Sequence, residues 1–480
     1  MQFPTHQTLT IMTTSTSQNT HETDTANNAS CTTISTILTL AIPTFGQLIA
    51  EPAFVLIDTA IVGHIGGQAL AGLSVGSTIV LTVVGLCVFL AYSTTSQVGR
   101  LLGAGKRREG LEAGVDGLWL AGIIGVVVSV ALFVIARPLC MAMGAQGSVL
   151  HNAVDYVRAV VFGIPGMLLV YAANGIFRGL QKVRITLVAA TLGAILNTLL
   201  DLLFILGFGW GVFGSGVATL ISQWFMAVVL IVPAVLWTRA EGARLRPRLS
   251  GVLNSAGDGA VLFLRTLALR ACLVANVVLA THMGVEVLAA YQVVNSSWNF
   301  VLNMLDAIGI AGQTLVAAQI GARQEDEAMR LTRIAGRAGL CGGTVIGIGL
   351  MIAGWCASPL FSQSIEIQHL LTVGMVVVGV TLPLAGWMWA VDGILIGAGD
   401  YRYLALTCTA TAAIICTLSC CDWLDMRCDA GVFRAAYGIA VACGESVICR
   451  IACHFQWVPY RNFHMVAYRT LKSACDGSLT

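Results

Sequence analysis

The chain has 480 residues, of which 57% are hydrophobic and only 10% charged, with a mean hydropathy of +0.83 and a formal net charge of +2. Water-soluble domains usually carry about 25% charged residues, so this composition excludes a soluble globule and is read as an integral membrane protein. Its 52 glycines suit close helix-to-helix approach, and its cysteines show neither a CxxC pair nor Cys/His ligand spacing, so no zinc site, metal centre or disulfide framework is expected.

Residues 1–33 are rich in Thr, Ser, Asn and Gln, lack the basic and apolar regions of a signal peptide, and read as a disordered polar tail. Apolar runs long enough to cross ~30 Å of hydrocarbon at ~1.5 Å per residue then recur. They lie near 35–62, 68–92, 115–136, 153–176, 185–208, 211–237, 260–282, 287–312, 338–358, 370–396 and 403–420, with a weaker twelfth candidate near 430–453. The expectation is an all-α membrane protein of about twelve transmembrane helices. Basic residues crowd the even-numbered breaks: Arg100, Lys106, Arg107 and Arg108; Arg178, Lys182 and Arg184; Arg239 to Arg248; and Arg323 to Arg337. By the positive-inside rule these breaks and the N-terminus face the cytoplasm, which predicts a multi-pass protein of the cell (cytoplasmic) membrane.

The first span contains "EPAFVLIDTAIVGHIG", residues 51–66, with Asp58 inside an apolar run. An acid near the middle of a membrane helix costs about 2.5–3.5 kcal/mol on insertion scales, so Asp58 is a candidate functional group. Pro43 and Pro52 each remove a backbone hydrogen bond from the same span and make it a candidate hinge. Asp306, in "NMLDAIGIAG", is a second intramembrane acid, in the eighth span. His64 and His282 fall in breaks, where a capping or solvated role is expected. "GAGKRREG" lacks the spacing of a phosphate-binding loop and reads as an anchor of charge at the membrane face.

The chain repeats itself. "GHIGGQALAG" at 63–72 matches "THMGVEVLAA" at 281–290, "RLLGAG" at 100–105 matches "AQIGAR" at 318–323, and "NGIFRGLQKVR" at 174–184 matches "DGILIGAGDYR" at 392–402, all at an offset of 218. Each unit holds six spans, an even number, so the halves are expected to be parallel lobes with a cavity between or within them. The division expected is a lobe at 34–238, a cytoplasmic linker at 239–259, a second lobe at 260–420 and a divergent cysteine-rich tail at 421–480. Nine of the fifteen cysteines follow Asp400, and the change of composition after Cys416 is what a shifted reading frame would produce. The offset sets Asp58 opposite Asn276 and Asp392 opposite Asn174, so each half has an acid that the other has lost.

Together "DTAIVGHIG", "RLLGAG", "NGIFRGLQ" and "DGILIGAGD" resemble the multidrug and toxic compound extrusion (MATE) family, most of all its prokaryotic DinF-type branch, over roughly residues 35–415. The resemblance implies twelve helices in two six-helix lobes and a secondary antiporter exporting organic compounds in exchange for H⁺ or Na⁺. It also implies that Asp58, fifteen residues after Pro43, is the coupling acid, joined by Asn197 and Asp201 of "NTLLD" and by Asn174 and Tyr156. Spacing i, i+4 places Asn197 and Asp201 on one helix face. Two neighbouring carboxylates cannot both ionise cheaply in low dielectric, so such a cluster would hold a proton. Asp392, with Asp306, makes a candidate second-lobe site. The chain departs from the family's pattern at Phe54, where a tyrosine is common, and between Arg270 and His282, where the Na⁺-type branch has an acid.

Small organic substrates and the lipid bilayer are the expected partners, with no nucleic acid, no cofactor beyond the coupling ion, and a monomeric state. The alternative within the same superfamily is a lipid-linked precursor flippase or polysaccharide exporter, which would need cations along its cavity; Arg265 and Arg270 are the nearest. The HExxH site of intramembrane hydrolases is absent from the sequence, and no enzymatic activity is expected.

Overall fold

The computed structural model describes residues 35–50, 52, 57–64, 66–283, 285–361 and 364–425. Among these residues the regular structure is entirely helical. The first crossing is α1 (Ser35–Ala50) with its continuation at 57–63. Pro43 lies inside α1 and Pro52 is helical. The bend expected at Pro52 falls among residues 51 and 53–56, outside the described ones. The second crossing is α2 (Gly67–Leu86) and α3 (Phe89–Gly103), joined where the ladder tightens and the Leu90 N–H donates to Cys87 O.

The first lobe continues with α4 (Arg107–Ala142), α5 (Gly147–Val160), α6 (Ile164–Gly179), α7 (Val183–Asp201) and α8 (Gly211–Ala240). The second lobe is α9 (Leu249–Met283), α10 (Val285–Gly321), α11 (Glu325–Phe361), α12 (Ile365–Ala398) and α13 (Tyr401–Asp425). Among the described residues, nine stretches are long and apolar enough to cross a membrane. The first and eleventh expected spans correspond to α1 with its continuation and to α13. The candidate twelfth span at 430–453, the tail at 1–33 and the tail expected at 421–480, apart from residues 421–425 at the end of α13, lie outside the described residues.

Local chemistry explains the breaks inside spans. α5 and α6 are one crossing interrupted by a 3₁₀ turn at Val161–Gly163, because Pro165 has no N–H to offer the carbonyl four residues back. That carbonyl, Val161 O, instead accepts the Ser129 hydroxyl from α4, and the next one, Phe162 O, accepts Trp224 Nε1 of α8 at 2.9 Å. Helix α7 widens into a π turn at Leu202–Gly207, directly after Asp201. Such turns replace the regular ladder at a local cost and recur at functional positions.

The lobes meet along α3 and α10. A Cβ on Gly103 would lie 1.8 Å from Ala318 O, and one on Gly321 would lie 1.9 Å from Arg100 O. These pairs exchange under the 218 offset: Arg100 corresponds to Ala318 and Gly103 to Gly321. The repeat read in the sequence is therefore a pseudo-two-fold contact in space, with the same backbone approach made twice. Arg100 Nη1 then reaches Ala398 O at the end of α12 at 3.0 Å, and Ser96 Oγ reaches Gly397 O at 3.1 Å, so α3 also holds the second lobe's α12.

The non-helical connection between α8 and α9 is residues 241–248, and α9 begins at Leu249, ahead of its apolar span. Arg178, read as part of a basic break, lies inside α6 and is 4% exposed. Packing of α6 against α3 and α8 carries the helix past the end of its apolar run.

Candidate functional site

A cavity opens in the first lobe among α1, α2, α5, α6, α7 and α8, and its polar lining includes Gln47, Asp58, Tyr156, Asn174 and Thr219. Asp58 comes from the segment following α1, and its Oδ1 accepts the Ser215 hydroxyl of α8 at 2.7 Å. Tyr156, on the last turns of α5, and Thr219, one turn along α8 from Ser215, line the same cavity. Ser215 and Thr219, four residues apart, thus present two hydroxyls from one helix face.

Asn197 and Asp201 lie one turn apart on α7 and do not line this cavity. Both are buried, Asp201 completely. Asp201 is nevertheless within electrostatic reach of Asp58, and Tyr156 is within reach of both acids. Neither carboxyl oxygen of Asp201, neither amide atom of Asn197, and not the Asn174 Oδ1 has a hydrogen-bond partner among the described residues. Buried polar atoms are seldom left in this state, since each forfeits hydration without return. The structure therefore brings Asp58, Tyr156, Asn174, Asn197 and Asp201 into one region, with unused oxygen atoms suited to a proton, a water or a hard cation. Among the described residues, no group of three His, Cys, Asp or Glu side chains could hold a metal ion.

A second cavity lies at the lobe interface and gathers Arg265, Asp306 and Asp392. Asp392 of α12 is paired with Arg265 of α9, both almost wholly buried. Asp306 of α10 accepts the Tyr92 hydroxyl from α3 at 3.1 Å and Trp389 Nε1 at 3.3 Å. All five side chains line this cavity, together with Arg270. Arg178 is within electrostatic reach of Asp306 and also donates to Gln47 Oε1 at 3.0 Å. Since Gln47 lines the first cavity, the two are joined by a polar connection through one buried arginine.

Asp392 and Asp306 thus share a cavity, each with its own partner. The sequence did not point to Ser215 or Thr219, which sit in "GSGVATL", or to Tyr92 and Trp389. Only the isolated Arg265 carried a signal, as a cation inside a span. His64 caps locally, with Nδ1 2.7 Å from Ala60 O, and the side chain of His282 is outside what is described.

The MatE family model matches residues 43–203 and 262–420. Among curated proteins, the chain is 26% identical over 444 residues to Protein DETOXIFICATION 43 of Arabidopsis thaliana, covering 79% of this chain and 83% of that one. It is 29% identical over 384 residues to the chloroplastic Protein DETOXIFICATION 44 of the same plant, covering 77% and 73%. It is also 26% identical over 416 residues to DNA damage-inducible protein F of Escherichia coli (strain K12), covering 84% and 90%. Among solved structures, MATE in the bent conformation superposes with a TM-score of 0.79 at 19% identity, covering 92% of this chain and 97% of that one. An outward-facing multidrug resistance MATE family transporter of the MOP superfamily gives 0.76 at 20% identity, covering 88% and 95%. These likenesses agree with the two lobes and with the 218-residue repeat, and the two matched segments span most of the described chain: it belongs to the MATE family of membrane transporters.

Proposed function

We propose that this transporter exports small organic compounds from the cytoplasm in exchange for H⁺ by alternating access, with Na⁺ as the alternative coupling ion. It does so as a monomer in the cytoplasmic membrane, with the N-terminus and the basic breaks inside. The observation that carries this reading is the pair of acids in the first lobe. Asp58 faces the cavity, and Asp201 is buried near it with neither oxygen hydrogen-bonded among the described residues. A cavity whose lining holds one acid, several neutral polar groups and apolar side chains favours a compound that is positively charged or neutral, and the same carboxyl can hold either a proton or that compound's charge. Competition for one carboxyl gives exchange, because arrival of the proton removes the counter-charge that retained the cargo.

The lipid-linked precursor reading needs free cations along the cavity. Of the two candidates Arg265 has its charge taken by Asp392, which leaves Arg270 on the second cavity's lining and no cation among the described residues that line the first, and this favours the exporter. The test is purified protein in liposomes with an imposed pH gradient or an imposed Na⁺ gradient, followed by efflux of a panel of organic cations. Efflux driven by the pH gradient alone supports H⁺ coupling; efflux driven only by Na⁺ selects the alternative. Indifference to both gradients would defeat the antiport reading.

A further inference from the structure

The outer surface of the first lobe carries a groove separate from both polar cavities. It runs between α4, α6 and α8, encloses about 690 Å³, and is walled by Trp119, Val126, Leu169, Trp224 and Val235. Its two tryptophans are held in place. Trp119 Nε1 donates to Leu245 O at 3.2 Å, and Trp224 Nε1 donates to Phe162 O, one of the carbonyls exposed by the Pro165 break. Gly122 leaves the floor open, since a Cβ there would meet only Leu169 Cδ2, at 4.0 Å. With both indole N–H groups satisfied and both rings fixed, the groove is a standing apolar slot.

Its length has a meaning. The lining runs from Val115 to Val127 on α4 and from Trp224 to Val235 on α8. At ~1.5 Å per residue these stretches are about 18 Å and about 17 Å long, close to the ~15 Å that one leaflet contributes to the hydrocarbon core. The groove therefore spans one leaflet, the one that meets the loop 241–248, and on the orientation proposed above this is the cytoplasmic leaflet.

Charge identifies the occupant. Leu245, in that loop, closes the end of the groove, and Arg246 follows it directly. Arg239 stands one turn beyond Val235 on α8, on the face that lines the groove. Of the other cations in these segments, Arg107 pairs with Glu241, Arg108 and Arg244 pair with Glu112, and Arg248 lies within electrostatic reach of Asp116. Arg239 and Arg246 are exposed and make no ion pair among the described residues. An apolar slot one leaflet long, ending at two uncompensated guanidinium groups, complements an acyl chain ending in a negative headgroup. It repels the cationic compounds proposed as cargo.

We propose that this groove is a binding site for one anionic phospholipid, its acyl chain between Trp119 and Trp224 and its phosphate between Arg239 and Arg246. The lipid would brace the loop that joins the lobes, since Leu245 and Arg246 belong to it.

The full chain in detergent, titrated with phosphatidylglycerol or with phosphatidylcholine of the same acyl chains and read by native mass spectrometry, tests this. Wild type retains phosphatidylglycerol in preference to phosphatidylcholine. R239Q and R246Q each weaken phosphatidylglycerol binding about fivefold, and the double variant about 25-fold, with phosphatidylcholine unchanged. G122F, which fills the floor, weakens both lipids at least tenfold. V126W fills the same slot from its exposed wall and replaces G122F if that variant misfolds by circular dichroism. Equal retention of the two lipids, or arginine variants that retain phosphatidylglycerol as wild type does, would show an ordinary lipid-facing surface and overturn the proposal. Displacement of the lipid by an organic cation would make the groove a cargo path and overturn it as well. None of these readouts depends on transport, so the proposal and the antiport reading fail separately.

Discussion

Gly103→Ala adds one methyl group at the point where the lobes touch, and its cost follows from the geometry. The new Cβ would lie 1.8 Å from Ala318 O, whereas carbon and oxygen need about 3.3 Å. The shortfall of roughly 1.5 Å falls on backbone, which cannot rotate aside as a side chain does, so α3 and α10 must separate. Overpacking of this kind costs about 1–3 kcal/mol. Charged to the conformation in which the lobes touch here, it lowers that conformation's population relative to one opened at this end by about 5- to 150-fold. Gly321→Ala should do the same, because its Cβ would meet Arg100 O at 1.9 Å across the same pseudo-two-fold crossing. The double variant should add little, since separation forced by the first methyl accommodates the second. Pulsed EPR between spin-labelled non-natural residues at Lys106 and Gln324, beside the ends of α3 and α10, reads the separation directly. The expected result is a new or enlarged long-distance population in both single variants. Unchanged distances together with additive losses of thermal stability would refute a shared contact.

Asp58→Asn should leave the protein folded and abolish gradient-driven efflux, because it keeps the size and hydrogen-bonding capacity of the side chain while removing its proton. Asp201→Asn should impair efflux similarly, and the double variant should be little worse than either, as expected of groups acting as one unit; strictly additive losses in the logarithm of the rate would place them in separate sites. Ser215→Ala removes a hydrogen bond to a charged acceptor, worth about 1.5–3 kcal/mol, and should slow efflux roughly 10- to 100-fold, with Ser215→Thr restoring much of it; equal efflux in the alanine variant would exclude an orienting role. Arg265→Gln leaves the Asp392 charge buried without its guanidinium and should cost about 3–5 kcal/mol, whereas Arg265→Met with Asp392→Leu should recover much of the melting temperature in detergent; a double variant less stable than the single one would contradict this.

Hydropathy, charge placement and self-similarity were enough to read the membrane location, the helical class, the order of spans and the two halves, because each is a one-dimensional property. Transfer free energy acts residue by residue, and a fixed offset of 218 needs no knowledge of contacts. The same logic singled out Asp58 and Asp306, since an acid in an apolar run is conspicuous wherever it lies. Asn197, Asp201, Asn174 and Tyr156 were legible only through resemblance to a known family, because polar residues in a helix carry no mark of which neighbour they face.

The tertiary structure alone decided the partners. Ser215 reaches Asp58 across 157 positions, and Tyr92 reaches Asp306 across 214. Arg178 stood at the end of an apolar run, where an arginine ordinarily anchors a loop in water. Only the packing of α6 against α3 and α8 places it under cover, between Gln47 of one cavity and Asp306 of the other. The groove on the outer face is likewise invisible in the chain, since Trp119 and Gly122 of α4, Trp224 and Arg239 of α8 and Arg246 of the loop are brought together only by packing. Composition determines which segments leave water. Which side chains then meet is set by helix-to-helix approach, and that depends on glycine contacts such as Gly103 and Gly321, whose meaning lies in the atoms opposite them rather than in their own sequence.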